Sequence, residues 1–242
     1  MRTLTTEEAR SYYDRFGAKQ DSQAFYEDRA LEALTEHAAF AEARSVFEFG
    51  CGTGRFALGL LQHRLPDTAS YFGTDVSSTM VRLATRRLAP FAPRATVALV
   101  DGSPVLALKD ASVDRFVSTY VFDLLPAPAQ RQLVAEALRV LQPGGLLCLC
   151  GITPGVTASS RFVMGVWRWL FTRNPDWVGG CRPTSAEDYL PAEAWRIHYR
   201  TVVTAWGVAS EVVIATPMSP SSSPDGGNGG AGFSQSRRAS ST

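Results

Sequence analysis

Ser45-Val46-Phe47-Glu48-Phe49-Gly50-Cys51-Gly52-Thr53-Gly54-Arg55 is the stretch on which the fold turns. Residues 45–49 are strand-like, residues 55–64 carry the apolar spacing of a helix, and three glycines lie between them. Gly50, Gly52 and Gly54 remove three β-carbons at the carboxyl end of the strand. The backbone can therefore turn sharply, and a ligand can approach main-chain amides closely. A dinucleotide fingerprint would carry its third glycine three residues after the second, where this chain has Arg55. Glu48 adds a carboxylate near the seat, which would repel a pyrophosphate and suits a partly cationic ligand.

Outward from this turn, strand and helix signals alternate. Upstream, helical patterns cover residues 5–16, with a Thr-Thr-Glu-Glu start, and residues 22–41, with Gly17 between them. Downstream, strands are expected over 70–74, 95–100, 113–119 and 146–152, and helices over 77–88 and 127–141. Pro143-Gly144-Gly145 reads as the turn between the last helix and strand. Such alternation implies right-handed crossovers and a mostly parallel sheet, an α/β doubly wound fold. After a hydrophobic helix over 159–172, two strand-like runs at 195–205 and 209–215 are separated only by Trp206-Gly207-Val208, a hairpin-length connection that makes them antiparallel. The chain divides into a helical segment over 1–44, a core over 45–217 and a polar tail over 218–242 expected to be disordered.

Composition narrows the function classes. The chain has 242 residues, 45% hydrophobic and 19% charged, with a formal net charge of +1. That balance offers no global attraction to nucleic acid or to anionic membranes, and a small or neutral partner is expected. Cys51, Cys148, Cys150 and Cys181 have neither zinc-site nor disulfide-framework spacing, so four reduced thiols and no metal site are expected. The N-terminus lacks a signal-peptide core and no run reaches the roughly 18 apolar residues of a membrane span, which points to the cytoplasm.

Two further acidic residues follow strands. Asp75 could accept the hydroxyls of a ribose, with Val76 forming a pocket wall, or could cap the helix that follows. Asp101-Gly102 could meet an adenine amino group and ring, or form a plain turn. Acidic residues at three strand ends on one sheet edge suit a nucleoside site at the switch point.

On residues 48–54, Gly73-Thr74-Asp75-Val76-Ser77 with Met80, Asp101-Gly102-Ser103-Pro104, 114–119 and Leu141-Gln142-Pro143-Gly144-Gly145, the chain resembles the class I S-adenosylmethionine-dependent methyltransferases. Within them it is most similar to the small-molecule group that includes ubiquinone and menaquinone methyltransferases, over residues 11–216. The resemblance implies a seven-stranded Rossmann-like sheet whose last strand is antiparallel, and S-adenosyl-L-methionine as cofactor. Carried onto this chain, it implies that Glu48, Gly50, Gly52 and Gly54 hold the methionine end and Asp75 the ribose, while Met80 faces the adenine and Asp101 its amino group. Tyr13 lies in Tyr12-Tyr13-Asp14-Arg15-Phe16, which resembles an aromatic lid over the cofactor; a surface helix with a buried aromatic stripe is the alternative.

Methyl transfer needs alignment of an acceptor and exclusion of water more than a nucleophile-base triad. Tyr120 and Asp123, after the fourth strand, are the candidates to orient or deprotonate a small-molecule acceptor. Phe162, Val163, Val166, Trp167, Leu170 and Phe171, interspersed with Arg161, Arg168 and Arg173, would pack in the core, wall a hydrophobic acceptor pocket or touch a membrane surface. Arg182 could hold an anionic group of the acceptor. Arg237-Arg238-Ala239-Ser240 has the shape of a kinase site. The expected activity is methylation of a quinol, phenol or lipid-like molecule, the alternative being a non-catalytic protein that binds the same cofactor. A nicotinamide-dependent oxidoreductase is disfavoured by Arg55 and the terminal hairpin, and nucleic-acid and protein methylation by the absence of a basic domain and of an Asn-Pro-Pro-Tyr-type segment after the fourth strand.

Overall fold

A computed structural model describes residues 3–218. Seven strands form one sheet: β1 (Ser45–Phe49), β2 (Ser70–Asp75), β3 (Ala95–Leu99), β4 (Val113–Thr119), β5 (Leu141–Ile152), β6 (Trp195–Ala205) and β7 (Val208–Pro217). Six α-helices accompany them: α1 (Thr6–Phe16), α2 (Ala24–His37), α3 (Arg55–His63), α4 (Ser78–Leu88), α5 (Ala127–Val140) and α6 (Ala158–Arg173). The strand order is β3-β2-β1-β4-β5-β7-β6. The first five strands pair in parallel, and β7 enters antiparallel between β5 and β6. The order reverses between β1 and β4, so the crevice at the carboxyl ends of β1, β2 and β4 is the switch point where such sheets bind ligands.

Alternation along the central strands builds two cores. Val46, Val117, Cys148 and Ile214 face one layer with α2 and α3, while Phe47, Phe116, Leu147 and Val213 face the other with α5. Phe47 and Phe116 meet at 5.2 Å between ring centroids. All four cysteines are free and buried. Adjacent apolar residues in β1, Val46-Phe47, and in β4, Phe116-Val117, point to opposite cores, as burial on both faces of the sheet requires.

Three local expectations are corrected. The second helix, expected over 22–41, is a 3₁₀ turn over Gly17–Gln23 followed by α2, which stops at His37. Arg115, buried on β4, donates from Nε to the Ala38 carbonyl and from Nη2 to the Ala39 carbonyl, both at 2.7 Å, and Ala39 turns left-handed. A distant side chain thus satisfies the carbonyls that would otherwise continue the helix. Pro143-Gly144-Gly145 is not the turn out of the helix: α5 ends at Val140, Leu141 already pairs with Val113, and the register shifts before Arg115 pairs with Leu146. The hairpin connection is two residues rather than three, since Val208 belongs to β7. The tail and the Arg237-Arg238-Ala239-Ser240 motif lie outside the described residues, Met218 excepted.

Trp206 and Gly207 both take positive φ, 53° and 82°, the pattern of a tight antiparallel hairpin. A β-carbon on Gly207 would lie 2.5 Å from Val163 Cγ2. Gly207→Ala is expected to cost about 1–2 kcal/mol through left-handed strain and displacement of Val163. Urea denaturation reads it directly; unchanged stability would contradict the packing of the hairpin on α6.

Candidate functional site

At the end of β1 the chain turns through Gly50, Gly52 and Gly54, all with positive φ. A β-carbon on Gly50 would fall 2.4 Å from Val121 Cγ2, so the segment after β4 closes directly on the turn. The Gly50 and Cys51 amides donate to the Thr74 carbonyl at 2.9 Å, and the Gly52 amide donates to Asp75 Oδ2 at 2.9 Å. Asp75 Oδ1 accepts the Ser77 amide at 2.8 Å, while Ser77 itself caps α4 by accepting from the Met80 amide. Of the two expected roles for this carboxylate, helix capping therefore falls to Ser77, and Asp75 clasps the glycine turn to the end of β2. Burial pushes Asp75 up to about 6 despite the amides that donate to it.

Glu48 lies within β1, wholly buried on the protein side of the turn. It accepts from the Tyr71 hydroxyl at 2.5 Å and the Thr119 hydroxyl at 3.3 Å. Burial, offset in part by these two donors, raises its carboxyl to about 7. The nearest new feature is Gln20, whose side chain packs against Gly52 and whose Oε1 is buried without a hydrogen-bond partner.

The N-terminal segment lies across this edge. Thr5 and Glu8 form a capping box that fixes the start of α1. Arg10 Nε donates to the Val76 carbonyl, Asp14 accepts from the Ser77 hydroxyl and the Thr79 amide, and the Tyr13 hydroxyl donates to the Gly179 carbonyl at 3.0 Å. The following 3₁₀ turn is tied down by Asp21, which bonds Thr53 and Arg87. Burial opposes charge on Asp14, but the donors from Ser77, Thr79 and Ser78 prevail and hold its carboxyl below the usual range. Its contribution is thus present above the ordinary carboxyl pKa and lost as pH falls through the lowered value. Asp14→Ala is expected to accelerate amide exchange over residues 6–16 about tenfold, with a loss of about 1 kcal/mol, the cost of a missing cap. Unchanged exchange would show that α1 is held elsewhere.

Beneath α1 is a chamber lined by Tyr13, Gln20, Gly50, Gly52, Asp75 and Val76, with Gly102 and Val100 at one end and Tyr120, Val121, Leu124 and Leu125 at the other. Among the described residues, no lysine or arginine lines it. It measures about 100 Å³, against the roughly 300 to 1,000 Å³ of small-molecule sites, so α1 must lift to admit a nucleoside-sized ligand. A smaller chamber adjoins it through Gln20, Gly50, Gly52 and Tyr120, and Glu48 lines that one.

The remaining sequence-predicted residues divide. Tyr13, Gly50, Gly52, Asp75, Val76, Gly102 and Tyr120 meet at the main chamber; Gly54, Met80, Asp101 and Asp123 do not line it. Gly54 precedes α3 against Ala84, Met80 is fully buried in α4, and Asp101 turns its Oδ1 to the Ser103 amide in an exposed loop. Tyr120 has φ of 55°, and its hydroxyl donates to Ser210 Oγ at 2.8 Å. Asp123 is buried behind the wall: Oδ2 accepts the Ile152 amide, Oδ1 has no hydrogen-bond partner, and burial lifts the carboxyl to about 6.

The expected single apolar face of α6 is split. Phe171 is buried and Trp167 Nε1 donates to the Cys181 carbonyl, whereas Phe162 and Val166 face outward, and no α6 residue lines the chamber. Arg182 Nη2 donates to Leu125 O and Gln130 Oε1, bracing the post-β4 segment instead of facing the chamber. Gln20, Tyr71, Val121 and Leu124 were not singled out in the sequence. Their partners lie far away along the chain, and no local pattern marks them.

Residues 46–145 match the family described as "Methyltransferase domain". The tRNA N(3)-methylcytidine methyltransferase Mettl2 of Drosophila melanogaster is 26% identical over 151 residues, covering 58% of this chain and 46% of that protein. The 2-methyl-6-phytyl-1,4-hydroquinone methyltransferase 1, chloroplastic, of Oryza sativa subsp. japonica is 28% identical over 153 residues, covering 63% and 44%. The chain thus spans less than half the length of either relative. Among solved structures, the [4+2]-cyclase SpnF superposes with a TM-score of 0.67 at 17% identity, covering 89% of this chain and 97% of that one. The relatives agree on the domain and differ in what they act on.

Proposed function

We propose, from the methyltransferase-domain match over residues 46–145, that the chain is a class I S-adenosylmethionine-dependent methyltransferase that methylates a small, apolar acceptor held between α1 and the segment after β4. One observation carries this reading: the glycine turn, Asp75 and the post-β4 residues Tyr120, Val121, Leu124 and Leu125 open into one chamber with, among the described residues, no basic side chain on its wall. When bound, S-adenosyl-L-methionine supplies the electrophilic methyl group for in-line displacement.

The residues present fit that cofactor. The unpartnered Gln20 Oε1 and the Glu48 carboxylate at the adjoining chamber offer acceptors for an ammonium group. Asp75 stands where a ribose would lie, with Val76, Val100 and Gly102 forming apolar walls for a base. Gly54 and Met80 shape the turn and α4 from behind, and Asp101 marks the mouth of the base end. Tyr13 on the closed helix excludes water. Tyr120 positions the acceptor with its ring, its hydroxyl being held by Ser210. Asp123 acts through position, fixing β5 and the post-β4 segment. The acceptor is small because α1, Leu124 and Leu125 enclose it, and apolar because those walls are.

Among the described residues no helix is long and apolar enough to cross a membrane. The test is calorimetric titration with S-adenosylmethionine, followed by transfer of radiolabelled methyl to quinols, phenols, lipids and transfer RNA. Failure to bind the cofactor removes the proposal. Binding without transfer to any acceptor favours a non-catalytic binding protein, and transfer only to RNA overturns the small-acceptor assignment.

A further inference from the structure

The outer surface of α6 carries a set of side chains that the chamber does not use. Phe162, Val166 and Trp169, spaced i, i+4 and i+7, are exposed by 73%, 43% and 52%, a stripe that the rest of the fold leaves uncovered. The hairpin between β6 and β7 packs on Val163 and presents Trp206, 81% exposed, beside the same helix. Single exposed apolar residues are ordinary on a protein surface, but three large exposed aromatic rings on one helix and the hairpin packed against it are not.

The charges on this helix are of one sign. Arg161 and Arg168, i and i+7, flank the stripe on the side opposite Val166, and the Arg173 guanidinium sits 5.1 Å from the centre of the Trp169 ring. Helix α6 carries Arg161, Arg168 and Arg173 and contains no acidic residue. The chain as a whole is nearly neutral, so this is a local concentration of positive charge around exposed rings. Tryptophan and phenylalanine gain by entering the headgroup and upper acyl region of a bilayer. Arginine stems extend along apolar surface while their heads reach lipid phosphates.

We propose that α6 and the β6–β7 hairpin tip form a docking surface for an anionic lipid bilayer, with Phe162, Trp169 and Trp206 inserted and Arg161, Arg168 and Arg173 on the phosphates. A neutral apolar groove would leave the arginines unused, whereas an anionic bilayer offers acyl chains to the rings and phosphates to the guanidinium groups at once. Docking here is separate from the cofactor site, so it stands whether or not methyl transfer is observed.

Flotation of the full chain with phosphatidylcholine vesicles, and with vesicles of phosphatidylcholine and phosphatidylglycerol in equal parts, tests this. Binding is expected to the anionic vesicles and to fall as salt rises. A Phe162→Ser, Trp169→Ser double variant is expected to lose it. Each of Arg161→Gln and Arg168→Gln is expected to weaken it about fivefold, the effect of one basic residue near an anionic surface. The substituted side chains are exposed, and circular dichroism confirms that the variants remain folded. Tryptophan fluorescence quenched by brominated lipid would place the rings in the acyl region. Absence of binding to anionic vesicles overturns the proposal, as does equal binding by the double variant. So does a vesicle-independent dimer that the same substitutions dissolve, because a second copy would then be the occupant.

Discussion

At about pH 8, Glu48→Gln is expected to make the protein more stable by up to about 3 kcal/mol while weakening S-adenosylmethionine binding at least tenfold. Burial raises the Glu48 carboxyl to about 7 from an ordinary 4.5. A group with a raised folded pKa contributes stability that is fully present below its unfolded pKa and is lost as pH rises through the folded value. Above pH 7 the parent therefore carries a buried charge that glutamine does not. Both partners are hydroxyls, Tyr71 and Thr119, which can rotate to donate or accept, so the amide keeps both hydrogen bonds. The loss falls on the ligand, whose ammonium group faces a dipole instead of a charge. Urea denaturation across pH 5 to 8, paired with calorimetric titration, measures both. Parent stability that does not fall over this range would contradict the placement of the charge, and unchanged affinity would remove Glu48 from the site.

The second large effect has the opposite sign in stability. Asp75 is also buried, and its carboxyl is also raised, to about 6. Its partners, however, are the backbone amides of Gly52 and Ser77, which can only donate. In Asp75→Asn, one amide must face the new NH₂ group, donor against donor, in a buried position. The expected cost is about 1–3 kcal/mol of stability, with cofactor affinity reduced on the order of 100-fold because the glycine turn loses its clasp and the ribose its acceptor. Thermal unfolding and titration with S-adenosylhomocysteine check both figures. A variant that binds normally would show that the turn holds its shape without Asp75. Two carboxylates in one site, each lifted by burial, thus respond in opposite ways to the same chemical change, because one is met by hydroxyls and the other by amides.

Both strands at the switch point have the bounds that their residues suggest, Ser45–Phe49 and Val113–Thr119, because the adjacent apolar pairs Val46-Phe47 and Phe116-Val117 are buried on opposite faces and leave little freedom in register. The terminal hairpin was legible from its short connection. What could not be read locally was made by contacts far apart in the chain. Arg115 ends α2 from 77 positions away, and Tyr71 reaches Glu48 across a strand pair 23 positions away. Gln20 meets Gly52 only because the 3₁₀ turn folds over the edge of the sheet. On α6 the helical period was plain but its direction was not. Apolar residues occur on every side, and only packing decides that Met164 and Phe171 face inward while Phe162 and Trp169 face water.

The bonds of α1 reach in two directions: Asp14 holds the start of α4, beside the proposed cofactor half of the chamber, and Tyr13 holds Gly179, in the loop after α6. Two ligands therefore share one door. On the proposed function, an α1 that swings away uncovers both halves together, so that the spent cofactor and the methylated product would depart through the same event. Where opening is slower than chemistry, turnover in such an arrangement is paced by the frequency of opening. A faster acceptor chemistry would leave the rate unchanged, whereas a looser hinge would raise it.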